Sequence, residues 1–311
     1  MEASSMAETT ITVTDMTGLS QGVMFLQLHA GVLGNSRKVG GDIWNTPETD
    51  KSLLHASKTL LESPQLDSIR KADMRMRQWL YNSNGPALPC DFDSFMIPNG
   101  SVVSVKNKLE EYKRERAALV DEFMGVYVSQ GRTAKEKLGP LYNPHDYPAE
   151  AQVRAKFYFD YSIFAFGVSE GLKQISEELY QQEVTKLQTT LQNAGQEITA
   201  AMRQTVYELL TNLQDKLTPD EQTGKAKVLH KAAVENVKKF LDSFNLKNVT
   251  NDEQLAGVVN QVRELLGNTD AKSLRASDSF REKMRDSLQD ITAKLSTMVE
   301  EKAGRKFLFD E

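Results

Sequence analysis

The longest uninterrupted helical pattern in the chain runs from residue 169 to residue 217, where apolar residues recur at helical spacing and no proline occurs. A continuous helix of that length would extend about 70 Å, at 1.5 Å per residue. No single globular pocket needs an element this long. The pattern therefore favours a scaffold, a bundle arm or a partner-binding rod over the core of an enzyme. The apolar stripe has the spacing of a nearly straight helix and consists of Val184, Leu187, Leu191, Ala194, Ile198, Met202, Val206, Leu209, Leu213 and Leu217.

Further helices are predicted after this one. In Thr218-Pro219-Asp220-Glu221, a capping hydroxyl, a proline at the first helical position and a glutamate three residues after the cap predict an immediate restart. The chain would turn back there and run helically to about residue 245. Thr250 and Glu253 open the next predicted helix, which ends at Gly267. The returning helix is expected to bury Val228, Leu229, Ala233, Val237, Phe240 and Phe244.

The last predicted helix carries an apolar seam at heptad spacing, formed by Met284, Leu288, Ile291, Leu295 and Met298. Such a seam needs a packing partner, and the long helix is the expected one, in the same chain or in a second copy. The part from residue 169 to residue 311 is thus predicted to consist of long antiparallel helices in a bundle or a coiled-coil-like arm.

The composition changes near residue 168, which we take as the boundary between domains at 1–168 and 169–311. The first part holds eight of the nine prolines and both tryptophans. Residues 10–14 and 92–97 are predicted strands, and the aromatic run at 157–168 is predicted to be the central strand, with both faces buried. The fold class is therefore mainly α, with a small β-sheet in the N-terminal part.

Proline and glycine positions set the helices of this first part. Residues 35–41 are predicted to form a loop, followed by a helix after Pro47 that Pro64 should end or kink. A second helix is predicted at 65–80, and a third at 101–129 that stops near Gly131. The helix after Pro47 would carry Leu53, Leu54, Leu60 and Leu61 on one side, and the second would bury Leu66, Ile69, Met76 and Leu80.

No group of potentially catalytic, phosphate-binding or metal-binding residues has the spacing that its chemistry requires. Gly224-Lys225 follows a cap rather than a strand, so it does not form a phosphate loop, and the four histidines are scattered. Cys90 is the only cysteine, which excludes a disulfide framework and a multi-cysteine metal site. Asp91 and Asp93 could hold a hard cation, but their alternation favours the solvent face of a strand. We therefore predict no catalytic, cofactor-binding or metal-binding residue, and no enzyme.

Basic residues on the helix at 65–80 form the one candidate contact face: Arg70, Lys71, Arg75 and Arg77. The next helix adds Lys106, Lys108, Lys113, Arg114 and Arg116. Such a face could contact phosphates or a protein partner. Interspersed acidic residues are typical of an ordinary solvated helix face, and a net charge of -5 gives no reason to expect nucleic acid as an obligatory partner. A nucleic-acid partner is therefore retained as an alternative but not favoured.

The sequence predicts neither export from the cell nor insertion in a membrane. Its first residues have no basic flank followed by an apolar run, and no stretch of 18 or more apolar residues occurs. One cysteine in 311 residues suits a reducing compartment. These features predict a cytoplasmic protein that is not inserted in a membrane.

The order of motifs in the first part resembles a phage- and prophage-encoded family of unknown function. The matching pieces are Ser36-Arg37-Lys38-Val39, the helix with Arg75-Met76-Arg77-Gln78-Trp79-Leu80, the strand closed by Met96-Ile97-Pro98, and the segment from Tyr147 through Phe157 into the aromatic run. The resemblance covers roughly residues 15 to 170. Leu28-His29-Ala30-Gly31 departs from it, since the family tends to carry an aromatic residue before a small one there.

Members of that family are often encoded beside a MoxR or CobS-like AAA+ ATPase and a protein with a von Willebrand A domain. The resemblance thus implies a helical adaptor or scaffold of such an ATPase module, acting in the host cytoplasm with these proteins as partners and without a cofactor. Two alternatives stay open, a nucleic-acid-binding accessory factor and a structural component of the virion. Homo-oligomerisation stays open as well.

Overall fold

The computed structural model describes residues 18–39, 56–82, 85–88, 94–220, 222–267 and 269–299. The strand predicted at 10–14, the beginning of the helix predicted after Pro47, and Cys90, Asp91 and Asp93 lie outside these residues. In the described residues, helices dominate and small sheets of three and two strands form in the N-terminal part. The predicted fold class is confirmed.

The helices are α1 (Gly18–Gly22), α2 (Pro64–Tyr81), α3 (Val102–Leu138), α4 (Glu150–Arg154), α5 (Glu170–Ile175), α6 (Glu177–Leu217), α7 (Lys231–Lys247), α8 (Glu253–Leu266), α9 (Ala271–Ala276) and α10 (Asp278–Ser296). The strands are β1 (Val23–Ala30), β2 (Ser36–Val39), β3 (Ala56–Thr59), β4 (Phe95–Pro98) and β5 (Phe159–Phe164). Short 3-10 turns occur at Asn99–Ser101, Gly139–Leu141 and Pro144–Asp146. No helix in the described part of the chain has the length and apolar content needed to cross a membrane.

The chain divides into two compact units, each assembled from segments that are distant in sequence. The described residues of Met1–Gln27, Gln78–Val103 and Ile163–Glu311 form the first unit. Those of Leu28–Arg77 and Ser104–Ser162 form the second. The boundary between consecutive domains near residue 168 stays a prediction.

The three-stranded sheet has the order β4-β1-β5. β1 pairs antiparallel with β4, with Val23 opposite Pro98 and Leu26 opposite Phe95, and every residue of β4 is buried. The prediction of a central, doubly buried aromatic strand is wrong, because β1 is central and no residue of β5 is buried. Aromatic content marks a strand, but the strand's place in the sheet depends on partners that are remote in sequence.

The loop predicted at 35–41 contains a strand. β2 pairs antiparallel with β3, Ser36 lying opposite Thr59 and Val39 opposite Ala56. Residues 56–59 are therefore also extended, where a helix was predicted. Both strands are mostly polar and largely exposed, so they carry no apolar alternation that could have predicted them.

Pro64 begins α2 instead of ending a helix. The Oγ of Ser63 accepts a hydrogen bond from the backbone N–H of Leu66 at 3.2 Å, which caps the first turn. Proline suits the first helical position, since the N–H that it lacks would have had no helical partner there. The four residues expected in the core from this helix, Leu66, Ile69, Met76 and Leu80, are buried.

α3 continues through Gly131 to Leu138, so the predicted stop at Gly131 is wrong. Tyr127 and Ala134, on either side of this glycine, are buried in the core of the second unit. A glycine inside a helix costs about 1 kcal/mol, and burial of an apolar helix face outweighs that cost.

The long helix predicted at 169–217 is interrupted once, at Ser176. This residue is extended, with φ −158° and ψ 119°, and its Oγ accepts a hydrogen bond from the N–H of Leu179 at 3.3 Å. Ser169 caps α5 in the same manner, accepting from the N–H of Gly171. Two serine caps seven residues apart thus divide the pattern into a short helix and α6, which has 41 residues.

The packed part of α6 agrees with the predicted stripe, which is buried from Leu191 to Leu217. α10 packs against α6 and buries four residues of its heptad seam, Met284, Leu288, Ile291 and Leu295. The packing partner predicted for the last helix is confirmed, and it lies in the same chain. α8 ends before Gly267 as predicted, although its cap is Asp252 rather than Thr250.

No helix restarts at Pro219. The carboxylate of Asp220 accepts hydrogen bonds from the N–H groups of Gln222 and Thr223, and Gly224 adopts a positive φ of 64°. Because Asp220 stabilises this turn, the next helix begins only at Lys231. Val228 consequently precedes the helix and is 69% exposed, against the expectation of burial.

Buried Arg281 fastens the end of α6 to the segment that follows it. Its guanidinium donates to the carbonyl oxygens of Leu217 at 3.2 Å, Lys216 at 2.5 Å and Lys227 at 2.7 Å. Carbonyls at a helix C-terminus lack helical donors. Arg281, in the first turn of α10, supplies the missing donors. These hydrogen bonds fix the direction in which the chain leaves α6.

Candidate interaction surface

α5 and the first turns of α6 form a surface that we call the 170–190 segment. No residue from 170 to 190 is buried, whereas the buried residues of α6 begin at Leu191. The helix is therefore packed along its C-terminal part, whereas its N-terminal part is half-buried or exposed among the described residues, with Leu187 still in contact with the core of the first unit. This places accessible side chains on an element whose other end is anchored in a core.

The apolar stripe of α6 continues into the 170–190 segment. Tyr180, Val184 and Leu187 precede Leu191 at steps of four, three and four residues, but they are only half-buried. Ile175 and Leu179, on either side of Ser176, are 80% and 47% exposed. Single exposed apolar residues are ordinary on protein surfaces. Here, however, the half-buried Tyr180, Val184 and Leu187 continue a stripe that is fully buried farther along the same helix.

α5 is held to α6 by weak polar contacts. The Nζ of Lys173 lies 3.9 Å from a carboxylate oxygen of Glu177 and 5.6 Å from the centre of the Tyr180 ring. Exposed ion pairs and cation–π contacts each contribute about 1 kcal/mol or less. α5 packs against α6, but none of its residues is fully buried.

The structure does not present the four predicted basic residues as a uniform cationic face. Arg70 lies 3.6 Å from Asp67 and donates to the carbonyl of Leu33 at 3.3 Å. Arg75 forms an ion pair with Glu115 at 2.9 Å. Lys71 and Arg77 are exposed and form no ion pair with the described residues.

Arg116, which was predicted to reinforce that face, is only 2% exposed. Its Nε donates to Oδ1 of Asp73 at 2.8 Å, and one terminal nitrogen donates to the carbonyl of Gly31 at 2.6 Å. The burial of Arg116 could have been predicted from the sequence, because Arg116 shares the helical register of buried residues in α3 such as Tyr112 and Val120. An arginine at a core position must find acceptors inside the protein.

Buried Tyr112 and Arg116 and half-buried Asp73 form a polar cluster in the second unit that the sequence did not reveal. The Tyr112 hydroxyl donates to Oδ1 of Asp73, and its ring meets that of Phe159 edge-on, with centroids 4.8 Å apart. Burial and the Asp73 carboxylate raise the pKa of Tyr112 well above its usual value. The phenol thus stays protonated as a donor, which suits a structural crosslink between α2 and α3.

Gly31 allows the backbone to come close to this cluster. Its N–H donates to the carbonyl of Tyr158 at 2.9 Å, and its own carbonyl accepts from Arg116. A Cβ at position 31 would lie 2.5 Å from the carbonyl oxygen of Lys156, closer than van der Waals contact allows. A side chain at position 31 would therefore force the neighbouring backbone to move.

Tyr161 makes a second tyrosine–carboxylate contact in the second unit. Its hydroxyl donates to Oε1 of Glu110 at 2.6 Å. Burial, followed by this hydrogen bond, raises the pKa of Tyr161 to about 12. A phenol with that pKa is protonated at neutral pH and cannot serve as a general base, so this contact, too, is interpreted as structural.

Lys247, at the end of α7, is the most unusual titratable group of the first unit. It is only 2% exposed, and its Nζ lies 5.7 Å from the centre of the Phe240 ring. Burial lowers the pKa of Lys247 to about 7, because a low-dielectric interior disfavours the ammonium form. No sequence signal marks Lys247, since lysine near a helix C-terminus is ordinarily exposed.

The described residues form neither an evident metal-binding site nor an evident activated nucleophile. Within them, no three His, Cys, Asp or Glu side chains come together in a way that could hold a metal ion. The Oγ of Ser162 lies 3.5 Å from Nε2 of His29, at the limit of a hydrogen bond, and both residues are exposed. No carboxylate of the described residues orients that imidazole, as an activated serine would require.

Comparisons with protein-family models, with curated proteins and with solved structures find no match for this chain. The resemblance to the phage family therefore rests on the residues quoted for it, and what it implies stays a prediction.

Proposed function

We propose that this protein is a non-enzymatic helical adaptor or scaffold that binds a protein partner through the 170–190 segment. The observation that carries the proposal is the stripe of α6, which is buried from Leu191 onward, still contacts the core at Leu187, and continues through Val184 and Tyr180, which the described residues leave only half-buried. Apolar side chains at such positions gain free energy when a partner covers them. We place this action in the cytoplasm of the host cell.

The architecture of α6 suits such a role. A helix of 41 residues extends about 60 Å, and packing by α10 holds its C-terminal part. The exposed turns therefore belong to a helix that is already ordered before a partner arrives. A preordered surface loses less conformational entropy on binding than a flexible loop would.

The partner that we propose, from the resemblance, is an AAA+ ATPase of the MoxR type, with a von Willebrand A domain protein as a second one. The test is co-purification with such an ATPase encoded beside the gene, with and without ATP. We expect association of the wild type, and its loss when Ile175→Glu and Leu179→Glu place charges in the exposed apolar set.

Val228→Glu is the matched control, because the exposure of Val228 lies between that of Ile175 and that of Leu179, and Val228 belongs to the first unit but lies outside the 170–190 segment. This variant should associate like the wild type. An absence of association in both nucleotide states, or equal association of the double variant, would contradict the proposal.

A nucleic-acid-binding accessory factor is the second candidate, favoured by the accessibility of Lys71 and Arg77. If this face binds DNA, Lys71→Glu with Arg77→Glu should weaken binding several-fold at low salt and flatten its salt dependence. Arg75→Glu should have a smaller effect, because Glu115 already engages Arg75. Filter binding across a salt series measures both effects. Binding that is unchanged in all variants would exclude the face.

A virion structural component is the remaining alternative from the sequence. The presence of the protein in purified particles, at a stoichiometry above that of a contaminant, would favour that role over an intracellular adaptor. Sedimentation of the purified protein would show whether it forms a homo-oligomer.

A further inference from the structure

We propose that the 170–190 segment takes an amphipathic helix whose apolar face is flanked by basic side chains. This inference rests on the proposed function and deepens it by naming the chemistry of the partner. Its two grounds are the spacing of apolar residues that are only partly buried among the described residues, and the excess of carboxylates around them.

The spacing of the apolar residues fits a helical ligand. Tyr180, Val184 and Leu187 lie at i, i+4 and i+7, so they share one face of α6 over two turns. Leu179 and Ile175 add exposed apolar surface at the α5 end. When one helix docks on another, its own apolar residues contact the partner helix at this same spacing.

The charges on the 170–190 segment favour a partner with positive charge. Glu170, Glu177, Glu178 and Glu183 outnumber Lys173 and Lys186. The two lysines are engaged within the segment, Lys173 with Glu177 at 3.9 Å and Lys186 with Glu183 at 3.6 Å. Glu170 and Glu178 have no basic partner among the described residues. Lysine or arginine flanks on a docking helix would complement these two carboxylates.

A second copy of the chain fits this surface less well. If two 170–190 segments met about a two-fold axis, Glu177 and Glu178 near the middle of one would lie opposite the same residues of the other. Like charges brought together at an interface disfavour association. The segment therefore fits a different, basic chain better than itself.

The experiment compares two helical model peptides of 18 residues or so, a length of about five turns, with identical leucine faces and either lysine or glutamate flanks. Each labelled peptide is titrated with the full-length protein and followed by fluorescence anisotropy. We expect the lysine-flanked peptide to bind about tenfold more tightly or better at moderate salt. Leu179→Ala with Val184→Ala should weaken its binding by about the same factor, because both substitutions keep the helix but remove apolar area.

Charge reversal separates specific docking from the general attraction of a basic peptide to an acidic protein. Glu170→Lys with Glu178→Lys should reverse the preference between the peptides. Glu122→Lys with Glu264→Lys changes the net charge equally at exposed sites outside the segment, and it should leave the preference intact. An unaltered preference in the first variant, or equal changes in both, would overturn the inference.

The outcomes also distinguish this inference from the proposed function. Co-purification that depends on Leu179, together with no preference for the lysine-flanked peptide, would keep the adaptor role and reject the basic helix as its ligand. A dimer in sedimentation that dissociates on Leu179→Ala would reject the inference in favour of self-association. Failure of both co-purification and peptide binding would reject the two together.

Discussion

The free energy of unfolding is expected to rise between pH 7 and pH 10, and to stop rising when Lys247 is replaced by methionine. Burial holds the pKa of Lys247 at about 7 in the folded protein, whereas an unfolded lysine has a pKa of about 10.4. Between these two values the unfolded chain binds a proton that the folded protein does not. Stability therefore increases with pH in this window.

The expected slope is at most about 1.4 kcal/mol per pH unit, or about 4 kcal/mol from pH 7 to pH 10. Below pH 7 both states carry the proton and this contribution to the slope vanishes. Tyr161, with its pKa raised to about 12, acts with the opposite sign above pH 10, because there the folded state retains the proton. The effect of Lys247 is thus best observed from pH 7 to pH 9.5.

Urea unfolding midpoints at several pH values measure this effect. Methionine keeps the unbranched length of the lysine stem, so Lys247→Met should give a flat profile in the window. Lys239→Met, at an exposed position of the same helix, should keep the slope of the wild type. Parallel profiles for all three proteins would show that Lys247 titrates normally.

Arg116→Met is expected to destabilise the protein by about 3 kcal/mol, the cost of removing one partner of a buried ion pair. The substitution leaves the Asp73 carboxylate and the Gly31 carbonyl without the guanidinium that donates to both. Tyr112 would remain as a donor to Asp73, which limits the loss. Thermal or urea unfolding of the variant measures it.

Asp73→Asn in the Arg116→Met background tests the cause of this loss. If an uncompensated carboxylate is responsible, neutralising it should restore part of the stability. Arg114→Met, two residues away on the exposed side of α3, should change stability by less than about 0.5 kcal/mol. A loss of similar size in Arg114→Met would mean that the helix, and not the ion pair, is sensitive.

The parts of the fold that could be predicted are those whose signal is local. The stripe from Leu191 to Leu217 and the seam of α10 repeat at the helical period, and that period alone places them in the core. β2 and β3 escaped prediction because each is polar and depends on the other for its hydrogen bonds. Ser63, Ser176 and Asp220 all have side chains that can accept hydrogen bonds from nearby backbone N–H groups. The sequence could not decide whether each would begin a helix or stabilise a turn.

The candidate surface was predictable only in part for the same reason. The long helix was expected, but its interruption at Ser176 and the point at which burial begins depend on tertiary packing. The positions of Arg70, Lys71, Arg75 and Arg77 on α2 followed from the sequence. Their different surroundings did not, because Glu115, which pairs with Arg75, lies 40 residues farther along the chain.

The discontinuous make-up of the first unit has a consequence for synthesis on the ribosome. Its core joins Leu19, Val23, Phe25, Leu88 and Met96 to side chains between Leu191 and Leu295. At about 10 residues per second, roughly 20 s separate translation of Met96 from that of Leu295. The second unit, by contrast, is complete once Ser162 has emerged. During that interval the apolar residues of the nascent chain have no helix α10 to pack against. We expect a chaperone to bind the chain at this stage.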